Sequence, residues 1–113
     1  MNVATKKRLG CVWLITLASL LSACSTAPVS SYDQLCQIYT EIAPQAMALD
    51  LKEGKLADTV ESKMPDFFES DYVNIITADR IKRYALIQSL AGREGQADWQ
   101  CKTMERYFSG EFD

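Results

Sequence analysis

The chain of 113 residues contains no histidine. Histidine is the side chain whose ordinary pKa lies closest to neutral pH, so its absence removes the usual general base and the Ser-His-Asp and Cys-His catalytic arrangements. The five glycines are scattered and form no phosphate-binding loop. The sequence therefore predicts a protein that is not an enzyme and that carries no cofactor.

The sequence also lacks an apolar run long enough for a permanent membrane span. Residues 9–23 are almost all apolar or small, which gives 15 residues, whereas a helix that crosses a bilayer needs about 20. The run follows the basic residues Lys6, Lys7 and Arg8, and no acid precedes it. A basic start, a short apolar run and small residues at its end are typical of an export signal. We therefore predict that residues 1–23 are a signal peptide.

The end of this signal resembles the lipobox of bacterial lipoproteins, because Leu21, Ser22 and Ala23 precede Cys24. In that family the cysteine thiol receives a diacylglycerol, a peptidase cuts before the cysteine, and the new amine is acylated. The resemblance covers the first 24 residues and implies a lipid anchor in the bilayer on Cys24. Ser25 follows where an aspartate would imply the inner membrane, so in a Gram-negative host the resemblance implies the outer membrane, on its periplasmic side.

A short polar segment separates this cysteine from the first predicted helix. Residues 24–31 are small and polar and include Pro28, so we predict that they form a flexible tether. Seven residues reach at most about 25 Å, which would keep the domain close to the lipid headgroups. Residues 32–113 then form one small domain.

The charge of the mature chain is strongly acidic. Removing residues 1–23 takes away three basic residues and no acids, which leaves 9 basic and 15 acidic residues and a net charge of −6. Nucleic acids and anionic lipids bind cationic surfaces, so this charge argues against both as main partners. It favours a basic protein partner, and the alternative is that the acids serve only solubility.

The apolar residues of the mature chain recur at steps of three and four, and no alternation typical of strands is sustained. Ser31 and Gln34 have the spacing of a capping box at the start of the first helix. Pro44 predicts either a kink or a break with Pro44 opening a new helix, and Gly54 is a candidate C-cap. The predicted helices cover residues 32–43, 56–64, 78–91 and 96–108.

Two segments are left open between these helices. Residues 66–72 are predicted to form a turn or a single helical turn, and Val73–Ile76 fits either a short strand or the start of a helix. The helix over residues 78–91 has the widest apolar surface and is expected to be central. The sequence thus predicts an all-α bundle of four to five short helices.

Two cysteines of the mature domain, Cys36 and Cys101, lie on the apolar stripes of the first and last predicted helices. A redox pair usually has C-x-x-C spacing, and a metal site would need two more ligands, so we predict a structural disulfide. The bridge would close a loop of about 65 residues, for which chain entropy gives roughly 4 kcal/mol of stabilisation.

The region between residues 58 and 71 carries five acids and one base, Lys63, and aromatic residues stand at its end. Acid beside aromatic predicts a protein-docking patch, and the alternative is that the aromatics belong to the core and the acids to a solvated rim. The basic residues Arg80, Lys82 and Arg83 are expected to pair with these acids. The candidate partner-binding residues are Asp58, Glu61, Asp66, Phe67, Phe68, Glu69, Asp71 and Tyr72.

These features predict a non-enzymatic lipoprotein that binds a protein partner as an accessory or adaptor of an envelope or secretion system. The alternative is an immunity lipoprotein that neutralises a toxin delivered to the periplasm, because an acidic surface suits a basic toxin. A third reading is a peptidoglycan-active enzyme that uses a pair of carboxylates, either Asp58 with Glu61 or Glu69 with Asp71. It ranks last because a small helical domain offers little cleft in which to bury them.

Overall fold

The computed structural model describes residues 29–113, and in this part of the chain five helices and no strand are present. The all-α bundle that the sequence predicts is therefore confirmed. The predicted signal peptide, Cys24 and the first part of the tether, to residue 28, lie outside the described residues. The helices are α1 (Ser31–Ile42), α2 (Leu49–Lys63), α3 (residues 65–77), α4 (residues 80–93) and α5 (Lys102–Phe108).

Helix α1 begins one residue earlier than the capping pattern predicts. Ser30, not Ser31, is the N-cap, and its hydroxyl accepts a hydrogen bond of 3.1 Å from the backbone N–H of Asp33. The side chain of Gln34 reaches back instead to the carbonyl of Val29, at 3.0 Å. The buried stripe of the helix consists of Tyr32, Leu35, Ile38, Tyr39 and Ile42.

Pro44 ends the first helix and does not merely kink it. Helix α1 ends at Ile42, and the next helix begins at Leu49 and not at the proline. Ala43 still has helical dihedral angles and bonds to the carbonyl of Tyr39. The helix stops after it because Pro44 lacks the N–H that would form the next helical hydrogen bond.

Helix α2 runs through Gly54, so the expectation that this glycine ends a helix is wrong. Lys52, Leu56 and Val60 continue the buried stripe at steps of four on either side of it. A Cβ built on Gly54 would meet no atom within 4 Å, and the residue is exposed. The helix ends just before Pro65, as the sequence predicts.

Helix α3 contains a π-helical turn, which the sequence did not reveal. Pro65–Phe67 and Val73–Thr77 are α-helical, and Phe68–Tyr72 is π-helical, with the N–H of Val73 bonded to the carbonyl of Phe68. A π-turn has a longer repeat than an α-turn, so residues five apart share one side. Phe67 and Tyr72 therefore both lie in the core, and the strand considered for Val73–Ile76 is excluded.

Helices α4 and α5 begin later than predicted. A 3₁₀ turn, Arg80–Lys82, leads into the α-helical part of α4, Arg83–Arg93, which passes Gly92. Residues 94–100 form a loop that turns at Gly95, whose φ of 90° suits glycine. The loop holds Trp99 in the core, and the last helix starts only after it.

The centre of the bundle is α1 and not α4. Five large side chains of α1 are buried, whereas α4 buries only Ile87 and Ala91. Aromatic rings cover both ends of α1. Tyr32 meets the ring of Phe67 at 5.3 Å between centroids, and Tyr39 meets the rings of Tyr107 and Phe108 at 5.5 Å each.

The predicted disulfide is confirmed. Cys36 in the middle of α1 is bonded to Cys101, which lies immediately before α5, and their Cα atoms are 5.8 Å apart. The bridge spans 65 residues of sequence and joins the first helix to the last.

Reduction of this bridge is expected to lower the free energy of unfolding by about 4 kcal/mol, because the unfolded chain regains the entropy of a long loop. Urea unfolding of the chain with and without a phosphine reductant, followed by circular dichroism, measures the difference. The reduced chain keeps every side chain, so no cavity complicates the comparison. Coincident unfolding curves would show that the disulfide does not stabilise the domain.

Candidate functional site

The candidate partner-binding residues fall into two groups, one on the surface and one in the core. Phe67 and Tyr72 are buried, and Phe68 is half-buried against the ring of Tyr72. Phe67 and Tyr72 are therefore not available to a partner, and Phe68 is only partly accessible. What remains outside is a set of exposed carboxylates on α2 and α3, which we call the acidic surface: Asp58, Glu61, Asp66 and Glu69.

The acidic surface carries no compensating ion pair among residues 29–113. Arg80 pairs with Asp113 at 2.9 Å, so the expected pairing of the basic cluster with the acidic region is wrong. Arg83 pairs with Glu53 at 3.2 Å, and the remaining pairs in this part of the chain are Lys82–Asp79 and Arg106–Glu111. Lys55 and Lys63 line a shallow groove on α2 together with Asp58, but neither lysine forms an ion pair with the acidic surface in this part of the chain.

A hydrogen bond to Asp71 holds α3 against the start of α1. The Tyr32 hydroxyl donates to the Asp71 carboxylate at 3.1 Å, and Tyr32 lies two residues beyond the Ser30 cap. Burial, followed by the charge of Asp71, raises the pKa of Tyr32, so the phenol stays protonated and donates. The helix that carries Asp66 and Glu69 therefore packs beside the point where the chain enters the domain.

The opposite end of α1 holds a polar cluster that the sequence analysis missed. Lys52 is 2% exposed, and its Nζ donates to the carbonyls of Ala43 at 2.6 Å and Phe112 at 3.2 Å. The amine thus satisfies a carbonyl at the C-terminal end of α1, where a cation is also favoured by the helix dipole. The four-residue steps from Lys52 to Leu56 and Val60 are the signal that could have placed this lysine inside.

Glu53 is the acceptor at the centre of this polar end. It takes a hydrogen bond from the Tyr107 hydroxyl and one from Arg83, whose guanidinium also donates to the carbonyl of Ile76 at 2.8 Å. Arg80 donates to the Tyr107 carbonyl at 2.7 Å and lies over the Tyr107 ring, 4.8 Å from its centroid. These cations are held by internal acceptors, which is the arrangement of a structural network.

A tyrosine pair links α1 to α3 inside the core. The hydroxyls of Tyr39 and Tyr72 are 2.7 Å apart and buried. Burial raises the pKa of Tyr72 to about 12 and raises that of Tyr39 well above its ordinary value. Both phenols are therefore protonated at neutral pH and satisfy each other.

The described residues offer little that resembles a catalytic centre. No group of three or more Cys, Asp or Glu side chains within residues 29–113 is arranged to hold a metal ion. Asp58 and Glu61, considered above as a glycan-cleaving pair, are both exposed on α2.

Comparison with protein-family models, with curated proteins and with solved structures gives no match for this chain. Within residues 29–113, no helix is both long and apolar enough to cross a membrane.

Replacing Lys52 by Met is expected to lower the free energy of unfolding by about 2 kcal/mol, because the buried Ala43 carbonyl loses its donor. Urea unfolding measures the loss. Lys55→Met on the same helix is the matched control, since Lys55 is exposed and donates only to Gln45. That control is expected to stay within about 0.5 kcal/mol of the wild type. Equal stabilities for the two variants would remove Lys52 from the structural network.

Alkaline pH is expected to unfold the domain as the buried phenols ionise. The folded pKa values lie above the unfolded value of about 10, so their stabilising effect is complete below pH 10 and is lost as pH rises towards 12. Tyrosinate absorbance and circular dichroism, recorded together against pH, test this. Ionisation of most tyrosines near pH 10, as in urea, without loss of helix would contradict it.

Proposed function

We propose that this chain is a lipid-anchored, periplasm-facing adaptor of an envelope or secretion assembly that binds a cationic segment of a partner protein on its acidic surface. The observation that carries the proposal is that four exposed carboxylates on α2 and α3 form no ion pair, while the arginines of the basic cluster are paired elsewhere within the domain.

An uncompensated acidic surface favours a basic partner for a simple physical reason. Opposite charges steer encounter and raise the association rate, and like charges exclude wrong partners. Asp58, Glu61, Asp66 and Glu69 are solvated before binding, so pairing them at the rim of an interface requires little desolvation. Binding of this kind weakens as salt is added.

The location of the acidic surface supports a partner that lies close to the membrane. Helix α3 packs on Tyr32, near the Ser30 cap, and Ser30 lies six positions after Cys24 in the sequence. If Cys24 is acylated, this segment spans at most about 20 Å, so the acidic surface stays near the headgroups. An acidic face is also repelled by anionic lipid, which would leave it open to protein.

An immunity lipoprotein is the second candidate, and the same unpaired carboxylates favour it. A basic toxin entering the periplasm would meet the acidic surface as a cationic adaptor partner does. The two roles differ in when the partner is present. An adaptor partner belongs to the same cell's envelope, whereas a toxin arrives from a competitor.

The decisive experiment neutralises the acidic surface in the full chain and compares partner capture from cross-linked membranes. The test variant combines Asp58→Asn, Glu61→Gln, Asp66→Asn and Glu69→Gln. The matched control removes the same charge from exposed carboxylates elsewhere that form no ion pair in residues 29–113: Glu41→Gln, Glu94→Gln, Asp98→Asn and Glu105→Gln.

The test variant is expected to retain less than about a tenth of the captured partner, because several charge pairs are lost together, while the control retains most of it. Circular dichroism checks that both variants are folded. Mass spectrometry identifies the partner as an envelope component or a toxin. Equal capture by the two variants would rule out the acidic surface as the docking site.

The anchor is tested separately. Radiolabelled palmitate is expected to label the wild-type chain and not Cys24→Ala, and only the wild type is expected in the outer-membrane fraction. Label on the Cys24→Ala chain would overturn the lipid anchor without affecting the docking site.

A further inference from the structure

The two cysteines of the disulfide, Cys36 and Cys101, differ in their exposure to solvent. Cys101 is 2% exposed and packs within the core, where its backbone N–H donates to the Tyr84 hydroxyl at 2.9 Å. Cys36 is half-buried and lies at the edge of a shallow groove along the outer face of α1. The groove is lined by Val29, Asp33, Cys36, Gln37, Thr40 and Glu41.

This asymmetry decides which sulfur an external thiol can attack. In thiol–disulfide exchange the attacking thiolate approaches along the line of the S–S bond, opposite the sulfur that leaves. Cys36 lines the groove, whereas Cys101 is 2% exposed and does not line it. An external thiolate therefore reaches the Cys36 Sγ from the groove more readily than it reaches the buried Cys101 Sγ.

We propose that Cys36 is the exchange site of the bridge, so that any external thiol or disulfide reacts at its sulfur while Cys101 acts as the leaving or resolving thiol. In the first step of reduction, a thiolate bonds to the Cys36 Sγ, the S–S bond breaks, and Cys101 leaves as a thiolate that takes up a proton. A second external thiolate then attacks the outer sulfur of the mixed disulfide and releases Cys36 as a thiolate, so that two external thiols are oxidised to one disulfide.

Formation of the bridge by a disulfide oxidant follows the reverse course. The Cys36 thiolate attacks the oxidant and releases its first thiolate, and the Cys101 thiolate then attacks the Cys36 sulfur and releases the second. The two cysteine thiols are oxidised to one disulfide, and the oxidant disulfide is reduced to two thiols.

Two consequences follow from the packing. While α1 and α5 remain together, the Cys101 thiolate stays beside the mixed disulfide and closes the bridge again, so reduction of the folded domain is resisted. In addition, Asp33 and Glu41 line the groove together with no basic residue. An anionic thiol is therefore disfavoured there relative to a cationic one.

The experiment treats the oxidised full chain with reduced glutathione under native conditions, quenches early with acid, alkylates free thiols and maps the peptides. Mapping separates these two cysteines from Cys11 and Cys24. Glutathione is expected on Cys36 at least about ten times more often than on Cys101, because access governs the rate. Equal labelling, or more label on Cys101, would overturn the proposal.

Variants that each lack one cysteine of the bridge, treated with oxidised glutathione, test the same assignment independently. The folded Cys101→Ser chain is expected to form a stable adduct at Cys36, because no resolving thiol is left. The folded Cys36→Ser chain is expected to react at Cys101 only after denaturant is added. Where circular dichroism shows that a variant has unfolded, the labelling ratio of the wild type decides.

Charge provides the last arm of the test. Cysteamine, which is cationic, is expected to reduce the native bridge faster than anionic glutathione when each rate is normalised to that in denaturant. The advantage is expected to disappear at high salt. An equal or reversed preference at low salt would remove Asp33 and Glu41 from the proposal.

Discussion

One covalent bond joins the middle of the first helix to the residue before the last helix, and much of the bundle depends on it. A domain of this size buries a modest core, so a crosslink that constrains the unfolded chain contributes a large part of its stability. Cys36 and Cys101 hold α1 against α5. The Tyr39 ring then packs against Tyr107 and Phe108, and Tyr32 packs against Trp99 from the loop before the bridge.

The charges of the domain are divided between its interior and its surface. Lys52 and Arg83 donate to backbone carbonyls, and Arg83 also meets Glu53. Because these cations donate to carbonyls at the ends of helices, they do little to neutralise the acids on α2 and α3. The surface that a partner meets is therefore more acidic than the net charge suggests. The proposed docking function rests on this division, which only the folded structure reveals.

The sequence predicted the helical class and the disulfide, because both follow from local patterns: apolar residues at steps of three and four, and two cysteines on apolar stripes. It failed where tertiary packing overrides a local signal. Gly54 continues a helix because Lys52, Leu56 and Val60 keep its inner face buried. The π-turn of α3 arises from the need to bury both Phe67 and Tyr72, and no spacing rule for regular helices predicts it. Because Phe67 and Tyr72 are buried, the exposed part of the predicted docking patch consists mainly of its acidic residues.

The direction of α1 relates the proposed lipid anchor to the proposed docking site. Its 12 residues extend about 18 Å, with the chain entering at Ser30 and the Lys52 amine closing the other end. Tyr32 and Asp71 bring α3 to the entry end, while the buried cations lie at the far end. A tether attached at Ser30 would therefore hold the acidic α3 near the membrane and turn the closed polar end away from it. If Cys24 is acylated as proposed, the partner expected for this surface is one whose cationic segment lies close to the bilayer.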